Sequence, residues 1–255
     1  MKFLTCTHTD VGTRKKTNQD SMLVMQASTD RGQVLLASVC DGMGGLAKGE
    51  VASCAMVEAL QNWFSNALPA LIADGIKEEV LFAQWHDLLQ STGDKIAEYG
   101  ANLNVDLGTT CVALLVMEGD YYLVNVGDSR IYLIADTIYQ LTKDQTYVQR
   151  EIDEGRLTYE QAANDPNRSV LLQCVGATRV IEPVFYHGKC APGQVFMLCC
   201  DGFRHVISPQ EFYDAFNPKR MKNANVMKQK LEELTRLNIA RHEDDNISAI
   251  LVKTL

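Results

Sequence analysis

Val39-Cys40-Asp41-Gly42-Met43-Gly44-Gly45 is the stretch on which the reading of this chain turns. An apolar run, Val34 to Cys40, ends on a carboxylate and passes straight into glycines. Glycine lets the backbone turn tightly and approach a ligand closely. A carboxylate and a neighbouring backbone carbonyl there could bind one ion together. A helix starting at about Lys48 would turn its positive end toward it. Two other readings compete. Asp-Gly is a common turn pair. Gly42, Gly44 and Ala47 also match the G-x-G-x-x-A pattern of dinucleotide loops. That second match is weak, because Asp41 would repel a pyrophosphate. The helix is also followed by another helix, not by a strand ending in an acidic residue.

Working outward, the same arrangement recurs. Asp128 follows Tyr121 to Gly127, and Asp201 follows Val195 to Cys200. Asp245 precedes Asn246 and the run Ile247 to Val252, and Asp20 precedes Ser21 and Met22 to Met25. Each carboxylate is expected where a buried strand meets a loop, and adjacent strands can bring such ends together. Any one of them alone reads as a turn. Several carboxylates gathered without counter-charge repel one another, and a divalent cation resolves the conflict. Oxygen ligands without histidine or cysteine suit Mg²⁺ or Mn²⁺ better than Zn²⁺. The five histidines form no His-x-His or His-Glu-x-x-His pattern.

The remaining segments predict an α+β chain. Short runs rich in Val, Leu, Ile and Tyr read as strands: Met22 to Ala27, Gln33 to Cys40, Thr110 to Met117, Tyr121 to Val126, Ile131 to Ile134, Pro183 to Tyr186, Val195 to Cys200 and Ile247 to Val252. Ala52, Met56, Ala59, Leu60, Trp63 and Ala67 recur at helical spacing. Further helices are predicted at about Lys77 to Leu103 and Lys219 to Ile239. The tight succession from Thr110 to Gln140 predicts antiparallel pairing. This order fits sheets covered by helices, not an alternating parallel fold.

The whole chain sets outer bounds. Its 255 residues are 46% hydrophobic, enough for one sizeable core, and a single domain over 1–255 is expected, with Asp74-Gly75 the one place a boundary could fall. The net charge of -8 argues against binding nucleic acid or an anionic membrane surface. Phosphorylated substrates are not excluded, since a bound cation reverses the local field. No signal-peptide core and no membrane-spanning run is visible. Eight cysteines, mostly inside apolar runs and without a C-x-x-C pair, point to a reducing cytoplasm. None begins the C-x5-R loop of cysteine-dependent phosphatases.

Together these motifs resemble the protein phosphatase 2C family, in particular its single-domain bacterial members. Asp10-Val-Gly, Asn18-Gln19-Asp20-Ser21, the Asp41 stretch, Gly108-Thr-Thr110 and Val126-Gly127-Asp128-Ser129-Arg130 fall in the family's order. Leu141-Thr-Lys-Asp144 and Val175-Gly176 match the family's mobile flap and its end, and Cys200-Asp201-Gly202 and Asp245-Asn246 match its last two metal motifs. The resemblance implies an α-β-β-α sandwich: two packed antiparallel sheets flanked by helix pairs. It implies Asp41, the Gly42 carbonyl, Asp201 and Asp245 as ligands of two Mn²⁺ or Mg²⁺ ions, with Asp41 bridging. Asp128 with Asp201 would serve a third, weaker ion, and Asp20 would support the site through water. It implies hydrolysis of phosphoserine and phosphothreonine in proteins by a metal-activated water, with no covalent intermediate. A cytoplasmic monomer that counters a Ser/Thr protein kinase is the corresponding expectation.

The chain also departs from the family's pattern. Lys15 stands where the phosphate-binding arginine usually lies, and Arg14 adjoins it. Arg14 is the favoured phosphate contact, on bidentate chemistry and not on register, which points to Lys15, while a solvated basic run is the alternative to both. Gln19 replaces a usual Glu, and Met43 a histidine found in some members. Gln145 and Asp165 replace flap histidines, and Cys200 replaces a serine. Cys199 and Cys200 read as core residues, with a redox role as the competing idea. Three functions compete for these motifs: the phosphatase, a catalytically weak phosphoprotein-binding regulatory module of the same fold, and, more weakly, a nucleotide binder.

Overall fold

A computed structural model describes residues 1–44 and 48–255. Gly45 and Ala47, the last residues of the glycine stretch and of the dinucleotide pattern, lie outside the described residues. The chain opens with three strands, β1 (Phe3–Asp10), β2 (Asp20–Thr29) and β3 (Gly32–Gly44). Helices α1 (Gly49–Asn66), α2 (Leu68–Ala73) and α3 (Glu78–Leu103) come next. Then come β4 (Leu107–Thr109), β5 (Cys111–Met117), β6 (Asp120–Val126), β7 (Arg130–Ile134) and β8 (Ile138–Gln140). Short helices α4 (Tyr147–Asp153) and α5 (Tyr159–Ala163) precede β9 (Val184–Lys189) and β10 (Val195–Cys199). The chain closes with α6 (Asp201–Arg204), α7 (Pro209–Phe216), α8 (Ala224–Ala240) and β11 (Ile247–Thr254).

The strands form two antiparallel sheets. One runs β1-β11-β10-β7-β8, and the other runs β2-β3-β5-β6-β9 with β4 on β3. The unbroken apolar reading of β3 and β5 has a physical cause. Leu35, Ala37 and Val39, with Val112, Leu114 and Val116, enter one core that also holds the inner residues of the facing sheet. Val34, Leu36 and Cys40, with Cys111, Ala113 and Leu115, enter a second core beneath α1, α2 and α3. Side chains alternate along a strand, so burial on both faces removes the polar alternation. Burying each such aliphatic side chain contributes about 1.5–3 kcal/mol.

The helices follow the same logic. Ala52, Met56, Leu60 and Trp63 of α1 face Leu81, Trp85, Leu89 and Ile96 of α3, with Trp63 and Trp85 in an edge-to-face pair at 5.6 Å. Asn104 ends α3 in the left-handed conformation that an asparagine tolerates. Asp74-Gly75 links α2 to α3 within this one helical layer. On the other side, Phe203, Phe212 and Phe216 stack under the first sheet with Leu231 of α8. The expected helix at Lys219 begins later, at Ala224. There the Asn223 side chain accepts the Val226 N–H and so starts the helix.

Two further expectations are corrected. The pairing from Thr110 to Gln140 is antiparallel as expected but does not build one continuous sheet: β5 and β6 belong to one sheet, β7 and β8 to the other. The chain crosses at Gly127, whose φ of 98° favours glycine. A Cβ there would stand 2.7 Å from Thr110 Cγ2. Moreover, Asp41 lies within β3 rather than at its end, whereas Asp20 opens β2 at the expected strand–loop junction, and the two face one another in the β2–β3 ladder. No helix among the described residues is long and apolar enough to cross a membrane.

Candidate metal centre

The five carboxylates gather at one end of the sandwich. The second sheet supplies Asp20 and Asp41, the first supplies Asp201 after β10 and Asp245 before β11, and Asp128 sits on the crossing between them. They line a cleft of ≈ 1110 Å³ together with Lys15, except Asp20, whose oxygens lie beneath it.

Local hydrogen bonds hold each position. The Asp41 N–H donates to Thr110 Oγ1 at 3.0 Å, and Thr109 Oγ1 donates to the Asp41 carbonyl at 3.0 Å. Thr110 Oγ1 in turn lies 2.8 Å from Ser129 Oγ, which ties Asp41 to the loop carrying Asp128. Asn246 Oδ1 accepts the Gln19 N–H at 2.8 Å, and its Nδ2 donates to the Val11 carbonyl at 2.9 Å. This asparagine therefore fixes the loop that bears Arg14 and Lys15. Asn238, buried on α8, donates to the Phe203 carbonyl and so anchors α6 behind Asp201.

Gly42 is needed for packing. A Cβ there would stand 2.2 Å from the Gly49 carbonyl oxygen and 2.5 Å from that of Gln19. Both are backbone atoms and cannot swing aside. Gly42→Ala is expected to cost about 3 kcal/mol, the upper end of overpacking, measured by chemical denaturation of the metal-free chain.

The electrostatics are those of a site where five carboxylates meet too little counter-charge, Lys15 reaching Asp245 and Arg204 reaching Asp128. Burial, then Asp20, Asp201, Asp128 and Asp245, push the Asp41 carboxyl well above its ordinary value. Burial raises Asp20 to about 6 against the nearby Ser248 and Cys200 side chains, with Asp201 and Asp245 adding to it. Burial and Asp201 raise Asp128 to about 7 against the pull of Arg204. Both oxygens of Asp20 and Oδ1 of Asp201 are buried without a hydrogen-bond partner. Buried carboxylates left so are costly. An all-oxygen cluster with orphaned atoms fits one or more hard divalent cations.

Lys15 and Arg14 are separated by the structure. Lys15 Nζ reaches Asp245 Oδ1 at 2.8 Å, whereas Arg14 Nη1 turns outward to Asp244 at 3.0 Å with its side chain 77% exposed. Burial alone would lower the Lys15 pKa, but Asp245, Asp41 and Asp201 outweigh it and raise it. In the flap, Gln145 takes the Gly127 N–H on Oε1 at 2.8 Å and donates Nε2 to the Glu182 carbonyl at 2.8 Å. It acts as a clamp at the flap's start. Asp165 Oδ1 accepts the Asn167 N–H in a local turn.

Sequence reasoning missed three residues. Arg204 Nη2 donates to the Asp128 carbonyl at 2.9 Å and to Asp128 Oδ2 at 3.1 Å, and also reaches Asp144. Asp144 is held in turn by a two-pronged contact from Arg130. His205 lies 3.3 Å from Asp201 Oδ2 and 3.4 Å from Glu243 Oε2, and Glu243 Oε1 accepts the N–H groups of Asp244 and Asp245. The available signal was spacing: Arg204 and His205 fall one helical turn after Asp201.

An antiparallel sandwich whose sheets converge on clustered carboxylates defines a scaffold suited to divalent cations. The chain belongs to the protein phosphatase 2C family, whose model, described as protein phosphatase 2C, matches residues 12–252. It is 34% identical over 210 residues to the serine/threonine protein phosphatase PstP of Mycobacterium tuberculosis, covering 81% of this chain and 37% of that protein. It thus spans little more than a third of PstP's length. It is 30% identical over 251 residues to the serine/threonine phosphatase stp of Listeria welshimeri, covering 96% and 93% of the two chains. A solved catalytic domain of PstP, in complex with two manganese ions, superposes with a TM-score of 0.78 at 26% identity over 99% and 98% of the chains.

Proposed function

We propose that this chain, as one catalytic domain over residues 1–255, hydrolyses phosphoserine and phosphothreonine in proteins with two divalent cations. The observation that carries this reading is the set of orphaned carboxylate oxygens on Asp20 and Asp201 beside Asp41, in a chain of this family. Asp41, the Gly42 carbonyl, Asp201 and Asp245 would hold the cations, with Asp20 beneath them. The two manganese ions of the PstP structure support this choice, and Mn²⁺ is favoured over Mg²⁺ on that ground. When bound, the cations supply a water of lowered pKa for in-line attack and offset charge on the phosphoryl oxygens.

The chain's own groups do the rest. Lys15, whose ammonium already points into the cluster, meets the phosphoryl group as a point charge. Asp128 is the remaining carboxylate for a third, weaker cation, which would share it with Arg204. The flap helices α4 and α5 form one wall of the cleft through Val148, Gln149 and Tyr159. There they can contact the substrate peptide. The acidic balance of the chain disfavours nucleic acid, and a Ser/Thr kinase acting on the same substrates follows from the reaction class. A reducing cytoplasm remains the reading of its cysteines, and a monomer is what the resemblance to the family implies.

The test is hydrolysis of an aryl phosphate and of a phosphothreonine peptide with Mn²⁺, with Mg²⁺ and in chelator. Activity is expected only with a divalent cation, and turnover that persists in chelator would refute the reading. Lys15→Ala is expected to lower kcat/KM about 100-fold, the scale of one lost charge-stabilising donor. Arg14→Ala should stay within about fivefold of the parent, as for an exposed ion pair. The reverse ranking would move the phosphate contact to Arg14.

A further inference from the structure

Asp20, Asp41 and Cys200 each offer one ligand atom, and these atoms lie within 4.8 Å of one another. The three come from β2, from β3 and from the end of β10, so both sheets hold the constellation. Cys200 is fully buried, next to Asp201 in the chain. Its sulfur is oriented: the Ser248 N–H donates to Sγ at 3.2 Å, and Sγ lies 3.3 Å from the Asn246 carbonyl that accepts its proton. An N–H aimed at sulfur favours a thiolate once the proton leaves, because hydrogen bonds to an ionised acceptor are the stronger ones.

A second observation points to a ligand. Both carboxylate oxygens of Asp20, beside that sulfur, are shut off from solvent and accept no hydrogen bond. The other buried cysteines differ. Cys40 Sγ is engaged by Ser38 at 3.6 Å, and among the described residues only Cys200 joins the carboxylates in such a group.

We propose that Cys200 makes one side of the carboxylate centre a mixed Asp-Asp-Cys site for a borderline cation such as Zn²⁺ or Co²⁺. The proposal rests on the carboxylate cluster being a metal centre, as read above. On binding, the Cys200 S–H bond breaks, a sulfur–metal bond forms and the proton passes to solvent. A thiolate ligand selects Zn²⁺-like cations over Mg²⁺. Zn²⁺ then competes with Mn²⁺ for Asp41, and the metal that the chain holds depends on the ratio of the two.

The test titrates the metal-free chain with Co²⁺, following near-ultraviolet sulfur-to-cobalt charge transfer and, in parallel, heat of binding. A charge-transfer band that saturates at one equivalent is expected. Cys200→Ser should still bind cobalt without that band, and its apparent Zn²⁺ affinity should fall about tenfold or more, as when a metal-site partner is lost. Binding heat without a band in the parent chain would overturn the proposal and leave the carboxylate centre standing. A band that persists in Cys200→Ser would assign the sulfur to another cysteine and overturn it too. No binding of Co²⁺, Mn²⁺ or Mg²⁺ would remove the metal centre itself. Should Cys200→Ser not fold, X-ray absorption on the Zn²⁺-loaded parent decides: one sulfur neighbour at about 2.3 Å is expected. A shell of oxygens alone at about 2.0–2.2 Å would overturn the proposal.

Discussion

Asp41→Asn is expected to lower kcat/KM with Mn²⁺ by on the order of 10³-fold or more, because several kcal/mol of charge stabilisation passes through the cations it would bridge. The same substitution should raise the thermal midpoint of the metal-free chain. Asp41 faces Asp20 across the β2–β3 ladder and feels Asp201, Asp128 and Asp245 as well. Like charges opposed in a ladder are destabilising, and an amide of the same shape removes one of them. The Asp41 main chain is held by Thr109 and Thr110, not by its side chain, so the fold should persist. Kinetics with Mn²⁺ and melting in chelator measure the two effects. Near-normal turnover would show that Asp41 bridges nothing.

Stripping the cations is expected to leave a chain that is more stable at pH 5 than at pH 8. Burial and like charges raise Asp41, put Asp20 at about 6 and Asp128 at about 7. The unfolded chain titrates these groups near about 3.9. Between those values the native state binds more protons, so its stability is full below about pH 4 and is lost as pH rises through 6 and 7. Glu243 works the other way. Burial raises its pKa, but His205 and the N–H groups of Asp245 and Asp244 outweigh this and lower it. Its contribution is therefore present above its unfolded value and lost on strong acidification. Mn²⁺ takes the place of the protons, so the loaded chain should melt higher at pH 8 and lose most of the slope. At a hundredfold excess over Kd each cation adds about 2.7 kcal/mol, or about 5–11 °C at the scale of 2–4 °C per kcal/mol for a chain of this size. Melting curves at the two pH values, with and without Mn²⁺, check it; equal midpoints in chelator would count against a clustered, uncompensated site.

Much of the fold was legible because burial leaves a periodic trace. Ala52, Met56, Leu60 and Trp63 mark α1 by helical spacing, and β3 and β5 read as apolar runs because both of their faces are covered. Strand β1 was not read: it pairs on one side only, with β11, and its residues are mostly half-buried or exposed. The flap helices are too short, at seven and five residues, for an apolar period to repeat, and their starts come from capping by Thr146 and Thr158, a signal too local to stand out.

The site divides along the same line. Residue type and order alone marked the carboxylates that flank apolar runs, the predominance of oxygen ligands and the glycines after Asp41. Long-range packing sets Asp20 opposite Asp41 in a ladder, carries the chain between sheets at Gly127 beside Asp128, and turns Lys15 rather than the favoured Arg14 inward. It alone placed Arg204 on Asp128 and the sulfur of Cys200 beside Asp20 and Asp41. These contacts join positions far apart in the chain, and their distances follow from how two twisted sheets pack, which no local pattern of residues encodes.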